Sequence, residues 1–279
     1  MVLYMAFFTY KEIVLAAKDG GYMGKPISDI RDEFNKADFN RKKELCVLYA
    51  DDERKGVKQL VAKYRREEES MAAELKRLDA MKVFERKYSG YKLIAGIDEA
   101  GRGPLAGPVA AGAVILPKDC EILYLNDSKK LSAAKREQLY NEIKEKAVAY
   151  GVGIISPERI DEINILQATY EAMRAAIKDM DCEPDMILAD AVTIPRIPYK
   201  QVGIIKGDAI SVSIAAASII AKVTRDRIMA DIDQIYPEYG FASHKGYGSK
   251  AHIEAIKKYG PSPVHRMTFI KKIIENQEE

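Results

Sequence analysis

The stretch Leu93-Ile-Ala-Gly-Ile-Asp-Glu-Ala-Gly-Arg-Gly-Pro-Leu-Ala-Gly-Pro-Val109 constrains the chain most. Its apolar run, Leu93 to Ile97, predicts a buried strand that ends in two successive carboxylates, Asp98 and Glu99. Side chains alternate faces along a strand, so a core strand accommodates one outward acid more readily than two in a row. Anions buried at a strand end are costly unless a cation joins them. Two readings follow from the residues alone: the pair is a surface feature of a strand terminus, or it holds a metal. The loop beyond carries Gly101, Gly103 and Gly107, which let another backbone come close, as a nucleic-acid or phosphate ligand requires.

Two more acids follow apolar runs. Met186-Ile-Leu-Ala-Asp190 is one such strand, and Val202-Gly-Ile-Ile-Lys-Gly-Asp208 is another. Each Asp alone fits a turn or a helix cap. Together, carboxylates at the ends of several core strands can converge on one edge of a sheet, where oxygen ligands suit Mg²⁺ or Mn²⁺. His244, His252 and His265 have no zinc-site spacing, and neither a GxxxxGK[ST] loop nor a nucleophile elbow is present. The formal net charge is only +2, so a nucleic-acid partner would have to meet local basic patches. The best of these is residues 243–272, where Lys245, Lys250, Lys257, Lys258, Arg266, Lys271 and Lys272 face a single acid, Glu254. Arg102, held between glycines beside the acids, is a phosphate candidate. Lys222 and Arg225, on one helix after Asp208, either steady phosphates or form a solvated face.

The chain divides by pattern near Tyr88-Ser-Gly-Tyr91. Residues 1–88 predict a small all-helical module, with helices after Thr9, over Pro26–Phe34 and Asn40–Ala50, and a long one over Asp51–Lys87. Residues 89–279 predict an α/β domain, with strands at 92–98, 109–116, 151–155, 185–189 and 201–205. The short glycine-rich loop makes the first two strands antiparallel neighbours. Helices are expected from Ser132 to about Tyr150, from Ser156 to about Met180, and at 211–235, 249–259 and 267–276. Cys46, Cys120 and Cys182 are scattered and odd in number, which fits a reducing compartment rather than a disulfide framework. With no membrane-spanning run and no signal peptide expected, the reading is a cytoplasmic monomer.

Gly96-Ile-Asp-Glu-Ala-Gly-Arg-Gly-Pro-Leu-Ala-Gly-Pro108 resembles the signature of ribonuclease HII. So, in the same order, do Asn126-Asp-Ser-Lys-Lys-Leu-Ser132, Lys206-Gly-Asp208, Ala215-Ala-Ala-Ser-Ile-Ile-Ala-Lys222 and His244-Lys-Gly-Tyr-Gly248. The resemblance covers roughly residues 91–265. It implies the ribonuclease H-like α/β fold, a mixed five-stranded sheet flanked by helices. It also implies that Asp98, Glu99 and Asp190 are ligands of Mn²⁺ or Mg²⁺, with Asp208 as the fourth acid of the site. The implied reaction is two-metal hydrolysis 5′ of a ribonucleotide, in an RNA–DNA hybrid or in a DNA duplex containing ribonucleotides. The Gly101-Arg102-Gly103 backbone and Tyr247 would read the 2′-hydroxyl, with Lys222 and Lys245 near the substrate backbone. The residues also leave open another ribonuclease H-fold nuclease, such as a junction resolvase, and a hybrid-binding protein without catalysis. The resemblance does not explain residues 1–88.

Overall fold

The computed structural model describes residues 24–275. The chain separates into two compact units, with the division between Lys76 and Arg77. The helix expected after Thr9 lies outside the described residues.

The first unit is helical, built from α1 (Ile27–Lys36), α2 (Phe39–Leu48) and most of α3 (Lys55–Ala80). Asp38 opens α2 by accepting a hydrogen bond from Arg41 N–H, which satisfies one of the helix's orphan donors. Its core gathers Ile30, Phe34, Leu45, Val57, Val61 and Tyr64, with the rings of Phe34 and Tyr64 stacked at 4.5 Å. The long helix expected over Asp51–Lys87 is two helices. It breaks at Met81-Lys82, and α4 covers Val83–Lys87. The break has a use within the second unit. Leu78 and Met81 enter that unit's core. Glu85 then turns back to accept from Ser211 Oγ and Ser213 N–H at a later helix start.

The second unit is a mixed sheet of five strands in the order β3-β2-β1-β4-β5. These are β1 (Ile94–Ala100), β2 (Val109–Ile115), β3 (Ala149–Ile155), β4 (Met186–Asp190) and β5 (Lys200–Ile204). β1 pairs antiparallel with β2 and parallel with β4. The connecting helices are α5 (Ala133–Lys146), α6 (Pro157–Asp179), α7 (Gly207–Ile210), α8 (Val212–Ile235), α9 (Phe241–His244), α10 (Lys250–Tyr259) and α11 (Met267–Glu275). The helix expected to reach Tyr150 stops at Lys146, because Tyr150 is needed in β3, opposite Val114.

Strand alternation divides the core into two layers. Ala95, Ile97, Ala111 and Ala113 pack toward α6, with Ala168, Ala172 and Ala176. The opposite face meets α8, whose Ala215, Ala216, Ala217 and Ser218 are all buried. This helix lies very close to the sheet. A Cβ on Gly96 would stand 2.0 Å from the Ser213 carbonyl carbon, and one on Gly112 would stand 2.5 Å from the Ala217 carbonyl oxygen. Asp98 shares its strand face with Gly96, so the same close approach brings Ser218 to the Asp98 carboxylate.

Candidate active site

The parallel register of β1 and β4 aligns Ile97 with Ala189, so Asp98 and Asp190 follow one step later on adjacent strands. The chain leaves β5 through Lys206, in the left-handed conformation, and places Asp208 in the first turn of α7. Asp98, Asp190 and Asp208 thereby each present a carboxylate oxygen, all within 4.8 Å of one another. Gly207 N–H donates to Asp190 Oδ1 at 2.7 Å, and Glu99 N–H donates to Asp98 Oδ1 at 2.8 Å. Glu99 stands beside this set. Arg102 reaches its Oε1 at 3.3 Å, whereas its buried Oε2 has no hydrogen-bond partner.

Burial first, then the neighbouring Glu99 and Asp190 charges, push Asp98 well above the usual carboxylate range. Glu99 is also raised, chiefly by burial, and Arg102 only partly offsets this. Burial, Asp127 and Asp190 raise Asp208. Crowded carboxylates with an orphaned buried oxygen are a poor resting arrangement by themselves and a good one around a hard cation. The converging donors are all oxygen, with no imidazole or thiolate, so the residues fit Mg²⁺ or Mn²⁺.

Other charges around the cluster were not assigned a place in the site from sequence. Burial alone would lower Lys129, but the charges of Asp127, Asp98, Asp208 and Asp190 outweigh it and hold the ammonium above its ordinary value. The Asp127 carboxyl also faces Asp208 and raises it. Ser128 Oγ and Ser218 Oγ lie 2.9 Å apart and link this turn to α8. The signal was in Asn126–Ser132, but sequence distance from the other acids concealed the juxtaposition.

The loop after β1 is held from beneath. Arg266 is fully buried and donates to the carbonyls of Gly101, Arg102 and Gly107. Arg225, 1% exposed, donates to those of Ala106, Pro108 and Lys245. Neither makes an ion pair among the described residues. Since arginine keeps its proton in proteins, two positive charges lie under this loop, met by carbonyl dipoles and, for Arg266, by the face of the Phe269 ring at 5.1 Å. Arg225 is therefore neither the phosphate contact nor the solvated residue that its helix position suggested. Gly101 has φ +94°, and a Cβ there would meet Arg225 Nε at 2.0 Å, so this glycine admits a side chain of its own protein rather than a ligand. Gly103 is open: the nearest atom to a Cβ there is Cε1 of Tyr247, at 3.9 Å.

Tyr247 is 46% exposed and faces that loop from the segment between α9 and α10. Arg102 is exposed as well. Lys245 lies at the end of α9 in the left-handed conformation, with its carbonyl tied to Arg225. Lys222 is only 18% exposed, and its ammonium contacts Asp226 at 2.6 Å. Thus Gly101, Arg102, Gly103, Tyr247 and Lys245 belong to one assembly, and Lys222 is engaged in an ion pair on α8.

A mixed five-stranded sheet with carboxylates gathered at the ends of its central parallel strands defines a ribonuclease H-like, metal-dependent nuclease. The family model for Ribonuclease HII matches residues 95–272, and that for the Ribonuclease HII N-terminal domain matches residues 26–89. The Ribonuclease HII of Lachnoclostridium phytofermentans is 61% identical over 225 residues, covering 81% of this chain and 89% of the relative. That of Clostridioides difficile is 51% identical over 252 residues, covering 90% and 99%. The crystal structure of the ribonuclease H2 from Pyrococcus horikoshii is 31% identical with a TM-score of 0.57, covering 67% of this chain and 99% of that one. The chain belongs to the ribonuclease HII family. Among the described residues, no helix is long and apolar enough to cross a membrane.

Proposed function

We propose that this enzyme hydrolyses the RNA strand of RNA–DNA hybrids and cuts 5′ of ribonucleotides embedded in duplex DNA, leaving 3′-hydroxyl and 5′-phosphate ends. The observation that carries this reading is the convergence of Asp98, Asp190 and Asp208 beside a loop whose open Gly103 faces Tyr247. Asp98, Glu99, Asp190 and Asp208 would hold the divalent ions. When bound, such ions supply Lewis acidity toward the phosphate, a water nucleophile active at neutral pH, and charge stabilisation for the leaving 3′-oxygen. The protein supplies placement. The buried arginines fix the Gly101–Gly103 backbone so that its groups meet the sugar without reorganising. Arg102, Lys129 and Lys245 offer cations to the substrate's phosphates. Lys222 acts at one remove, by holding Asp226. Tyr247 stacks on the sugar and donates its hydroxyl to the 2′-oxygen, which distinguishes RNA from DNA.

The reading is tested at Tyr247. Tyr247→Phe removes only the hydroxyl, and a lost hydrogen bond of roughly 1–2 kcal/mol corresponds to about a tenfold slowing. The loss is expected to be greater on a duplex with one embedded ribonucleotide than on a continuous hybrid, which offers many registers. Tyr247→Ala should widen the difference. Equal losses on both substrates would show that Tyr247 supports the loop without reading the sugar.

The helical module contains none of these site residues, which supports a role in binding rather than in chemistry. The module expected over residues 1–88 includes Leu78, Met81 and Glu85, which pack into the sheet unit, so the informative truncation removes residues 1–76. That truncation is expected to raise KM while kcat holds, the pattern of lost uniform binding. It should also flatten the salt dependence of substrate binding. A fall in kcat at constant KM would instead give the module a part in shaping the active site.

A further inference from the structure

The chain has three histidines, and all three meet in one cluster behind the Tyr247 loop. The rings of His244 and His252 stack at 4.5 Å. His252 and His265 are 0% and 2% exposed.

Their hydrogen bonds determine every proton. His252 Nδ1 lies 2.9 Å from the Tyr247 carbonyl oxygen, which can only accept, so Nδ1 carries the proton. In the neutral ring Nε2 is then bare. It lies 3.0 Å from His265 Nε2, which must therefore be the donor. That leaves His265 Nδ1 bare, and it accepts from the Ser262 N–H at 2.9 Å and from the Ser262 hydroxyl at 2.8 Å. Donation runs in one direction, from Ser262 through His265 and His252 to Tyr247. His244 fits the same scheme: its Nε2 donates to the Tyr239 carbonyl, and its Nδ1 accepts from Gly246 N–H. An added proton on His252 or His265 would set two N–H groups against each other. Burial favours the neutral rings, lowering His252 and taking His265 down to about 4.

The cluster ends on two consecutive residues of the loop, the Gly246 amide and the Tyr247 carbonyl. From the other side, Gly246 O accepts from Leu105 N–H, and Lys245 O accepts from Arg225. The loop backbone is thus held between the loop after β1 and the histidines, while the Tyr247 ring stays free.

We propose that His252, backed by His265 and Ser262, is a positioning residue for ribonucleotide recognition, setting the Tyr247 backbone so that its side chain meets the sugar opposite Gly103. This rests on the reading of Tyr247 as the residue that senses the 2′-hydroxyl.

Two amide replacements separate the two ends of His252. In His252→Asn the side-chain amide can stand where Nδ1 stood and still donate to Tyr247. In His252→Gln it stands where Nε2 stood, toward His265, and the Tyr247 carbonyl keeps only the Ser249 N–H, at 2.8 Å, as donor. The measurements are kcat and KM for both variants on the single-ribonucleotide duplex and on the continuous hybrid, beside Tyr247→Phe, together with the hydrogen exchange of the Tyr247 amide. His252→Gln is expected to lose about tenfold more in kcat/KM on the single ribonucleotide than on the hybrid, chiefly through KM. It should also speed exchange at Tyr247. His252→Asn should retain most of the wild-type preference and protection. A His252→Gln enzyme with the wild-type substrate preference would overturn the proposal, as would a His252→Asn enzyme that falls as far as His252→Gln. If Tyr247→Phe itself fails to discriminate between substrates, the reading of Tyr247 falls. Exchange then decides the positioning role: faster exchange in His252→Gln alone upholds it, and equal exchange in all proteins overturns it.

Discussion

Asp98→Asn is expected to reduce Mg²⁺-supported cleavage by about three orders of magnitude or more. The amide has nearly the same shape, so the strand, Ser218 and the Glu99 amide can stay in place. It is, however, a weak ligand for a hard cation, and several kcal/mol of charge stabilisation are at stake. The same substitution should stabilise the protein in chelator. Asp98 is raised by burial and by the charges of Glu99 and Asp190, so in the absence of metal its ionised form opposes folding. A carboxyl whose folded pKa lies above its unfolded value contributes most at low pH and loses that contribution as pH rises through the raised value. Above the ordinary carboxylate range the metal-free wild type therefore bears a penalty that grows with pH, and the Asn variant does not. Adding Mn²⁺ should raise the Tm of the wild type, because only the folded state offers the site. The variant should show a higher Tm in chelator and little response to Mn²⁺. A wild-type Mn²⁺ response in Asp98→Asn would remove Asp98 from the metal site.

Gly96→Ala is expected to be as damaging to folding as Asp98→Asn is to chemistry. The added Cβ would meet main-chain atoms of Ser213 and Ile214 at 2.0–2.4 Å, and backbone cannot rotate aside as a side chain can. α8 would have to lift from β1, the central strand, opening the layer that buries Ala215, Ala216 and Ala217. Overpacking in a well-filled core costs typically 1–3 kcal/mol, and a backbone clash of this size should reach about 4 kcal/mol or more. Denaturant unfolding checks this. Any folded fraction should also lose activity, since the approach of α8 brings Ser218 to Asp98. A stability loss below about 1 kcal/mol would contradict the packing described between α8 and the sheet.

The five strands and the gathering acids were legible because their signals are local: an apolar run, its length, and an acid at its end. The glycines were legible as glycines but not in their purpose. Gly101 was read as making room for a ligand, and Gly96 only as part of a motif, whereas both are set by contacts with residues more than a hundred positions away. Arg225 and Arg266 were counted among exposed or phosphate-facing cations for the same reason. Charge in a sequence suggests solvent, and only the fold shows carbonyls arranged to receive a buried guanidinium. Asp127 and Lys129 join the acids through a short turn after β2, with no periodicity to announce it. The break at Met81-Lys82 was hidden because charges surround it on both sides and helix-forming residues run straight through it.

Cleavage of one duplex tests the account most directly: DNA throughout, apart from a single ribonucleotide. With Mg²⁺ or Mn²⁺, a single incision 5′ of that ribonucleotide is expected, leaving a 3′-hydroxyl. The incision should be lost in chelator and in Asp98→Asn, and the matching all-DNA duplex should remain intact. Incision of the all-DNA duplex at a comparable rate would contradict ribonucleotide recognition by the Gly101–Gly103 loop and Tyr247, and undiminished incision by Asp98→Asn would contradict the assignment of the metal site.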